Sequence, residues 1–375
     1  MDSIFSSLPF SASADPTFDN FSNCLTKNGV QSNEIPKILY NPTNPSFTSV
    51  LNAYVRNLRF NTSTTKKPSI IVTPFQVQQV QATVICTKSS GLQLKTRSGG
   101  HDYEGISYVS ANPFVILDMF NLRSVAVDIP SKTAVPITEN NKKMIRLTFI
   151  GLYLENSNSL QALMKSQFPE LGLLPSDCKQ MSWIQAMLFW ANFKKSSPKP
   201  EALLSRTPDS VSFLKRKSDY VLKPIPSAGL TAIFNKMVQL GDVGLVFNPY
   251  GGKMSQIPES ETPFPHRAGV LYKIQYSSNW GTPDPKLAAQ NLQEARDLYT
   301  FMTPYVSSNP RQAFLNYRDL DIGTTDNGPN SYNEGKVYGM KYFKGNFDRL
   351  VKVKTAVDPQ NFFRNEQSIP KLPSK

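Results

Sequence analysis

Histidine is almost absent from this sequence: only His101 and His266 occur in 375 residues. So few imidazoles argue against a structural metal site, and no metal is expected. Cysteine is nearly as scarce. Cys24, Cys86 and Cys178 permit at most one disulfide with one thiol left over, and their spacing matches no zinc or redox motif. Charged residues make up only 18% of the chain, and 29 prolines outnumber 19 glycines. That balance argues against a long helical bundle or coiled coil and describes many short elements joined by fixed turns. No apolar run approaches the length needed to cross a bilayer, so no membrane span is expected.

What the chain does have is length, a moderate apolar share and positive charge. Its 375 residues exceed one small core and suggest two domains, or one elaborated by a second layer. The 39% hydrophobic share is spread evenly enough to build real cores. With 41 basic and 28 acidic residues the formal charge is +13, which in principle permits nucleic-acid binding. The basic residues are scattered, however, in short clusters such as Lys194-Lys195 and Lys215-Arg216-Lys217. A general basic surface is therefore favoured, and no nucleic-acid partner is expected. At the N-terminus, MDSIFSSLPFSASA ends small-X-small over Ala12 to Ala14 but lacks a basic start. It reads as the remnant of a signal peptide over 1–14.

From Pro68 the pattern is βαβ-like: SIIVT at 69–73, a helix opened by Pro74, then LQLKT at 92–96 after the stop at Gly91. Val77, Val80, Val84 and Ile85 form one helical stripe, most simply a core face. FVILD at 114–118 and SVAVD at 124–128 supply two further strands. Over 133–144 the strand pattern fails and ITENNKKM reads as a polar turn. Beyond it come a strand over 145–154, helices over 159–168 and 182–193, strands over 243–247 and 270–276, a helix over 287–302 and a last helix over 342–354.

The loop RSGGHDYEG, Arg97 to Gly105, follows a strand. Glycines there let backbone N–H groups approach an anion, and Ser98, Gly99 and Gly100 suit a phosphate nest, although a glycine pair is more often only a tight turn. By pattern alone His101 is a turn histidine, and Tyr317 and Lys273 are ordinary strand residues. Asn20 and Asn61 start Asn-X-Ser sequons, compatible with a secreted glycoprotein.

A family resemblance changes that weighting. KPSIIVTPFQVQQVQATVICTKSSGLQLKTRSGGHDYEG, with FPELGLLPSDCKQMSWI, NPYGG, PFPHRAG, LYKIQY, NYRDLDIG and YFKGNFDRLVKVKTAVDPQNFFRNEQSIP further on, resembles the plant berberine bridge enzyme-like FAD-linked oxidases. These belong to the vanillyl-alcohol oxidase, or p-cresol methylhydroxylase (PCMH)-type, superfamily. Cannabinoid acid synthases and monolignol oxidoreductases are the nearest in flavour. The resemblance implies an α+β fold, with a PCMH-type FAD-binding domain and an antiparallel-sheet substrate domain with helices. It implies FAD joined to His101, with Arg97, Ser98, Gly99, Gly100, Asp102 and Gly105 around the pyrophosphate. Tyr317 matches the catalytic base that takes a proton from a substrate hydroxyl, and Lys273 and Gln275 match its neighbours. Because a free tyrosine titrates near ~10, a nearby ammonium would assist it. Cys24 and Cys86 match the family's disulfide, which leaves Cys178 as a packing thiol. Tyr250 and His266 fall in substrate-domain motifs, His266 in a structural role.

The sequence also departs from the family pattern. After Val135 the second part of the FAD-binding domain is missing, with its glycine-rich segment and the cysteine of a second covalent flavin bond. The implied organisation is then 15–136 as the first part of the FAD-binding domain, 137–144 as a junction, 145–335 as the substrate domain and 336–375 returning to the FAD-binding domain. Attachment of FAD is monocovalent at most, through His101. The implied activity is oxidation of a small alcohol, phenolic or carbohydrate substrate with O2 as acceptor, by a monomer located in the apoplast, cell wall or vacuole. Removing central strands should expose sheet edges and apolar faces, so the alternative is a non-catalytic remnant with little or no flavin.

Overall fold

The computed structural model describes residues 16–122, 132–139, 141–191, 199–205 and 211–373. The signal-peptide remnant at 1–14 and the strand expected at 124–128 lie outside the described residues. The chain divides into two compact units.

The first unit draws on 1–51, 65–99 and 106–124. Its elements are α1 (Pro16–Lys27), α2 (Ile35–Ile38), β1 (Leu39–Tyr40), α3 (Phe47–Asn52), β2 (Ile70–Val72), α4 (Val77–Ser89), β3 (Gln93–Arg97) and β4 (Phe114–Asp118). The strands form a sheet in the order β1-β2-β4-β3. β2 and β3 run parallel to β4, while β1 is antiparallel to β2. The apolar runs of β2 and β4 are buried throughout, as a parallel sheet covered on both faces requires.

Helix α4 corrects the expected stripe. Val77 is 66% exposed and Ile85 50%, whereas Gln79, Ala82, Thr83, Cys86 and Thr87 are buried. A disulfide from Cys86 to Cys24 of α1 fixes this face inward. The buried hydroxyls are satisfied locally: Thr83 Oγ1 donates to the Gln79 carbonyl and Thr87 Oγ1 to the Thr83 carbonyl, each at 2.7 Å. Gln79 in turn accepts from the Phe75 amide at 2.7 Å and donates to Glu34 at 3.0 Å.

The second unit draws on 52–64, 100–105 and 125–375. It contains β5 (Lys132–Glu139), β6 (Lys142–Phe149), α5 (Ser157–Gln167), α6 (Trp183–Ala191), β7 (Phe213–Val221), α7 (Ser227–Leu240), β8 (Gly244–Pro249), β9 (Tyr272–Trp280), α8 (Pro285–Phe301), α9 (Ser331–Phe343) and α10 (Phe347–Val357). The strands form an antiparallel sheet in the order β6-β5-β8-β9-β7. Its core packs Val221, Leu245, Ile274 and Tyr276 of the sheet against Ile233 and Met237 of α7 and Leu298 of α8. A helical and antiparallel-sheet fold is what the family resemblance implies.

Three local expectations are corrected here. The polar stretch ITENNKKM is a hairpin in unbroken register from Lys132↔Phe149 to Glu139↔Lys142. Asn141 takes φ 60 in its turn, a conformation asparagine tolerates well. The helix expected over 342–354 is two helices, broken where Lys344 adopts φ 48 between α9 and α10. The charged segment FLKRKSDYV is a strand, β7, rather than surface: Lys215 and Lys217 are each 2% exposed.

Candidate active site

Strand alternation builds the site in the second unit. Opposed residues of an antiparallel pair share a face, and the register Ser218↔Gln275 and Tyr220↔Lys273 puts Lys273 and Gln275 of β9 on the face carrying Ser218 and Tyr220 of β7. Arg216, two residues before Ser218, shares that face. Ser218 Oγ accepts a 2.9 Å bond from the Phe314 amide. This bond holds the single helical turn Leu315–Tyr317 beside the strands.

The three residues singled out for catalysis are therefore brought together. Lys273, 7% exposed, sets its Nζ 4.2 Å from the Tyr317 ring centroid and 3.8 Å from that of Phe314. An ammonium over an aromatic face is attracted by the ring quadrupole. Gln275 Nε2 donates to the Tyr103 hydroxyl at 2.8 Å, and the Tyr103 ring lies 5.7 Å from that of Tyr317. The Arg216 guanidinium lies 5.6 Å from the Tyr103 ring. Burial lowers the pKa of Arg216, a shift that Tyr103 and Tyr317 oppose.

Tyr103, Arg216 and Phe314 are neighbours of this cluster that sequence reasoning missed. The available signals were the tyrosine of HDYEG and the alternation within FLKRKSDYV.

His266 is structural. It is 1% exposed and stacks on Tyr220 with ring centroids 4.0 Å apart. Its Nε2 donates to the Tyr342 carbonyl at 3.0 Å, and Nδ1 lies 3.0 Å from the Gln312 side chain. Burial pulls its pKa down to about 4. The Tyr250 hydroxyl lies 3.5 Å from that of Tyr220, and burial pushes the Tyr250 pKa up.

The His101 loop enters the second unit at Gly100. There φ is +65, and a Cβ would lie 2.0 Å from the Tyr54 carbonyl oxygen, so no side chain fits. At Gly105, with φ +69, a Cβ would lie 2.7 Å from the Phe60 ring. Asn57 donates to the Tyr103 carbonyl at 2.8 Å, and Asp102 accepts the Glu104 amide at 2.9 Å. His101 itself is exposed, and its pKa is lowered by surrounding protein atoms and by the Arg56 charge. The ring is thus neutral near pH 7.

Arg97, Ser98 and Gly99 belong to the first unit. Ser98 is exposed, but the Arg97 side chain points inward. Its guanidinium bonds the Leu51 and Val50 carbonyls at 2.7 and 2.9 Å and pairs with Asp118 at 2.8 Å. Cys178, half-buried, donates weakly to the Leu174 carbonyl.

Residues 313–370 match the family described as berberine and berberine like. Berberine bridge enzyme-like 1 of Arabidopsis thaliana is 36% identical to the chain, with 96% of this chain and 94% of the relative covered. The chain belongs to the berberine bridge enzyme-like family. Members of this family are FAD-linked oxidoreductases. Among solved structures, Phl p 4, a grass pollen allergen with glucose dehydrogenase activity, superposes with TM-score 0.82 at 31% identity, over 94% of this chain and 100% of that one. A variant of berberine bridge enzyme superposes with TM-score 0.82 at 22% identity, over 94% of this chain and 100% of that one, and so shares the fold. The Arabidopsis alignment runs over 510 positions against a chain of 375 residues, so many positions of the relative have no counterpart here.

Proposed function

We propose that this family member is an FAD-dependent oxidase of a small alcohol, phenolic or carbohydrate substrate. One observation carries the reading: the Lys273 ammonium lies over the Tyr317 ring, with Gln275 and Tyr103 beside it. Tyr317 accepts the proton of the substrate hydroxyl. Lys273 favours the charged phenol oxygen by its proximity, and Gln275 fixes Tyr103 as a second polar wall. When bound, FAD would supply the acceptor for the hydride equivalent, and O2 would reoxidise it by taking two electrons and two protons to give hydrogen peroxide.

The residues present fit the cofactor. His101 offers an exposed, neutral ring nitrogen for a single covalent attachment, and Gly100 keeps the backbone of its loop clear of side chains. Ser98, Gly99, Gly100, Asp102 and Gly105 would hold the pyrophosphate through their backbone. The Arg97 side chain, by contrast, is taken up by the Leu51 and Val50 carbonyls and by Asp118. In this reading 15–136 and 336–375 are the retained parts of the FAD-binding domain, and 137–144 is the junction that replaces the missing part. The disulfide agrees with secretion into an oxidising compartment.

A flavin-free binding protein is the second reading, favoured by the apolar residues exposed on β6 and α6. Visible absorption of the purified chain separates the two. Yellow colour that survives acid precipitation and is lost in His101→Ala supports the oxidase; a folded, colourless protein that takes up no added FAD overturns it. Tyr317→Phe should keep the flavin spectrum and lower turnover of a monosaccharide or aromatic alcohol by about 100-fold or more. Wild-type turnover in that variant would reject Tyr317 as the base.

A further inference from the structure

A buried ionic network occupies the β7 edge of the sheet, outside the Tyr317–Lys273 cluster. Lys215 Nζ lies 2.6 Å from Glu104 Oε1 and 2.8 Å from Asp319 Oδ1. Lys217 Nζ takes the other Asp319 oxygen at 2.6 Å and Asp321 Oδ2 at 2.8 Å. At the rim, Arg59 approaches Glu104 at 3.7 Å and Arg296 bonds Asp321 at 3.0 Å. Lys215, Lys217, Glu104 and Asp319 are all 5% exposed or less.

Two features make this more than a stabilising cluster. Burying several charges is costly, and a hydrophobic core of similar volume would often stabilise the fold better, so such a network is better suited to fixing geometry. Its carboxylates also stand at particular places. Glu104 lies three residues after His101, and Asp319 lies two after Tyr317. A second tie runs alongside, since Arg318 Nε is 3.5 Å from Asp102. The segment bearing the flavin anchor and the segment bearing the base are thus joined through charge. Gln367 adds a 2.8 Å bond to the Asp319 carbonyl, which steadies the second segment.

We propose that Lys215 is a positioning residue, whose ammonium clamps Glu104 to Asp319 and thereby sets the placement of His101 relative to Tyr317. This rests on the oxidase reading for its functional consequence, while the clamp itself is a property of the chain. Lys215 stays charged: burial pulls its pKa down, but Asp319, Glu104 and Asp321 together raise it above the ordinary value. Burial pushes the Glu104 carboxyl up, and Lys215 opposes that shift. Replacing Lys215 by an apolar residue would leave Glu104 buried without its main partner and release the His101 loop.

The test uses Lys215→Met, Lys215→Arg and Glu104→Gln in the full chain, with two readouts. Hydrogen–deuterium exchange, read without substrate, should rise in 101–105 and in 316–322 together for Lys215→Met and Glu104→Gln, and return towards wild type in Lys215→Arg. In protein supplied with FAD, covalent flavin should fall severalfold, and kcat on the order of 100-fold with KM little changed, since a shift near 1 Å has that effect. Exchange confined to one segment, or kcat unchanged well below the melting temperature, overturns the clamp. Should Lys215→Met fail to fold, Glu104→Gln keeps the size and decides by the same readouts. A wild-type chain that takes up no flavin defeats the oxidase reading, and the paired exchange still decides the clamp.

Discussion

At the residue scale, burial decides what each ionisable group does. His266 is held neutral between Gln312 and Tyr342, with a pKa of about 4 against an ordinary value of 6.5. Protonation then favours the unfolded chain, so its contribution to stability is intact above pH 6.5 and lost as pH falls towards 4. The loss amounts to roughly 3 kcal/mol by linkage. Denaturant unfolding at pH 7 and pH 4.5 should show a smaller acid penalty in His266→Gln than in wild type; equal penalties would show that another group is responsible. The pKa of His101 is shifted in the same direction, by burial and by the Arg56 charge. On the oxidase reading this predicts that covalent flavin uptake holds to a lower pH than an unshifted histidine would allow, measured as acid-stable flavin across a pH series. Gly100→Ala should cost at least about 1–2 kcal/mol from its left-handed φ alone, and more from the clash with Tyr54. Its melting temperature and acid-stable flavin should both fall. The need for glycine at Gly100 was legible as a motif, but the Tyr54 carbonyl that imposes it is 46 residues away in sequence.

At the scale of elements, pairing and cross-links override local pattern. β7 reads as a basic surface cluster, yet as the edge strand of the sheet it sends Lys215 and Lys217 into carboxylates supplied by two other segments. Alternation in FLKRKSDYV carried the signal for a strand, but no local rule reveals that buried partners exist. Helix α4 shows the converse, because a disulfide and satisfied threonines turn its polar face inward and leave Val77 and Ile85 outside. The Cys24–Cys86 bridge closes a loop of 62 residues, and by loop entropy it contributes about 4 kcal/mol. Cys24→Ser with Cys86→Ser should lower the stability of the first unit by about 2–4 kcal/mol, seen as an earlier denaturant midpoint. An unchanged midpoint would mean that the α1–α4 packing suffices without the bond.

At the scale of the whole molecule, apolar side chains stand exposed on several elements of the second unit. Leu147 and Phe149 of β6 are 48% and 51% exposed, Trp183 of α6 is 51% exposed, and α5 buries none of its residues. An open apolar recess of about 240 Å³ lies between the β5–β6 hairpin and α7, with Leu147, Phe149, Leu230 and Phe234 in its walls. Such faces favour self-association. Leu147→Lys with Phe149→Lys should reduce aggregation in light scattering while changing the melting temperature by only a few degrees, because neither side chain is buried; a collapse in stability would show that the hairpin depends on them. By itself the sequence determined the family and the β2, β3 and β4 strands, and it singled out the loop glycines and Tyr317, Lys273 and Gln275 as candidates, since each is written in contiguous motifs or short-range periodicity. Only the tertiary structure decided that Arg97 is consumed in a buried pair, that ITENNKKM is a hairpin, and that Lys215 joins Glu104 to Asp319. Those outcomes depend on partners tens to hundreds of residues apart, brought together by strand register and by burial that makes an unpaired charge too costly to keep.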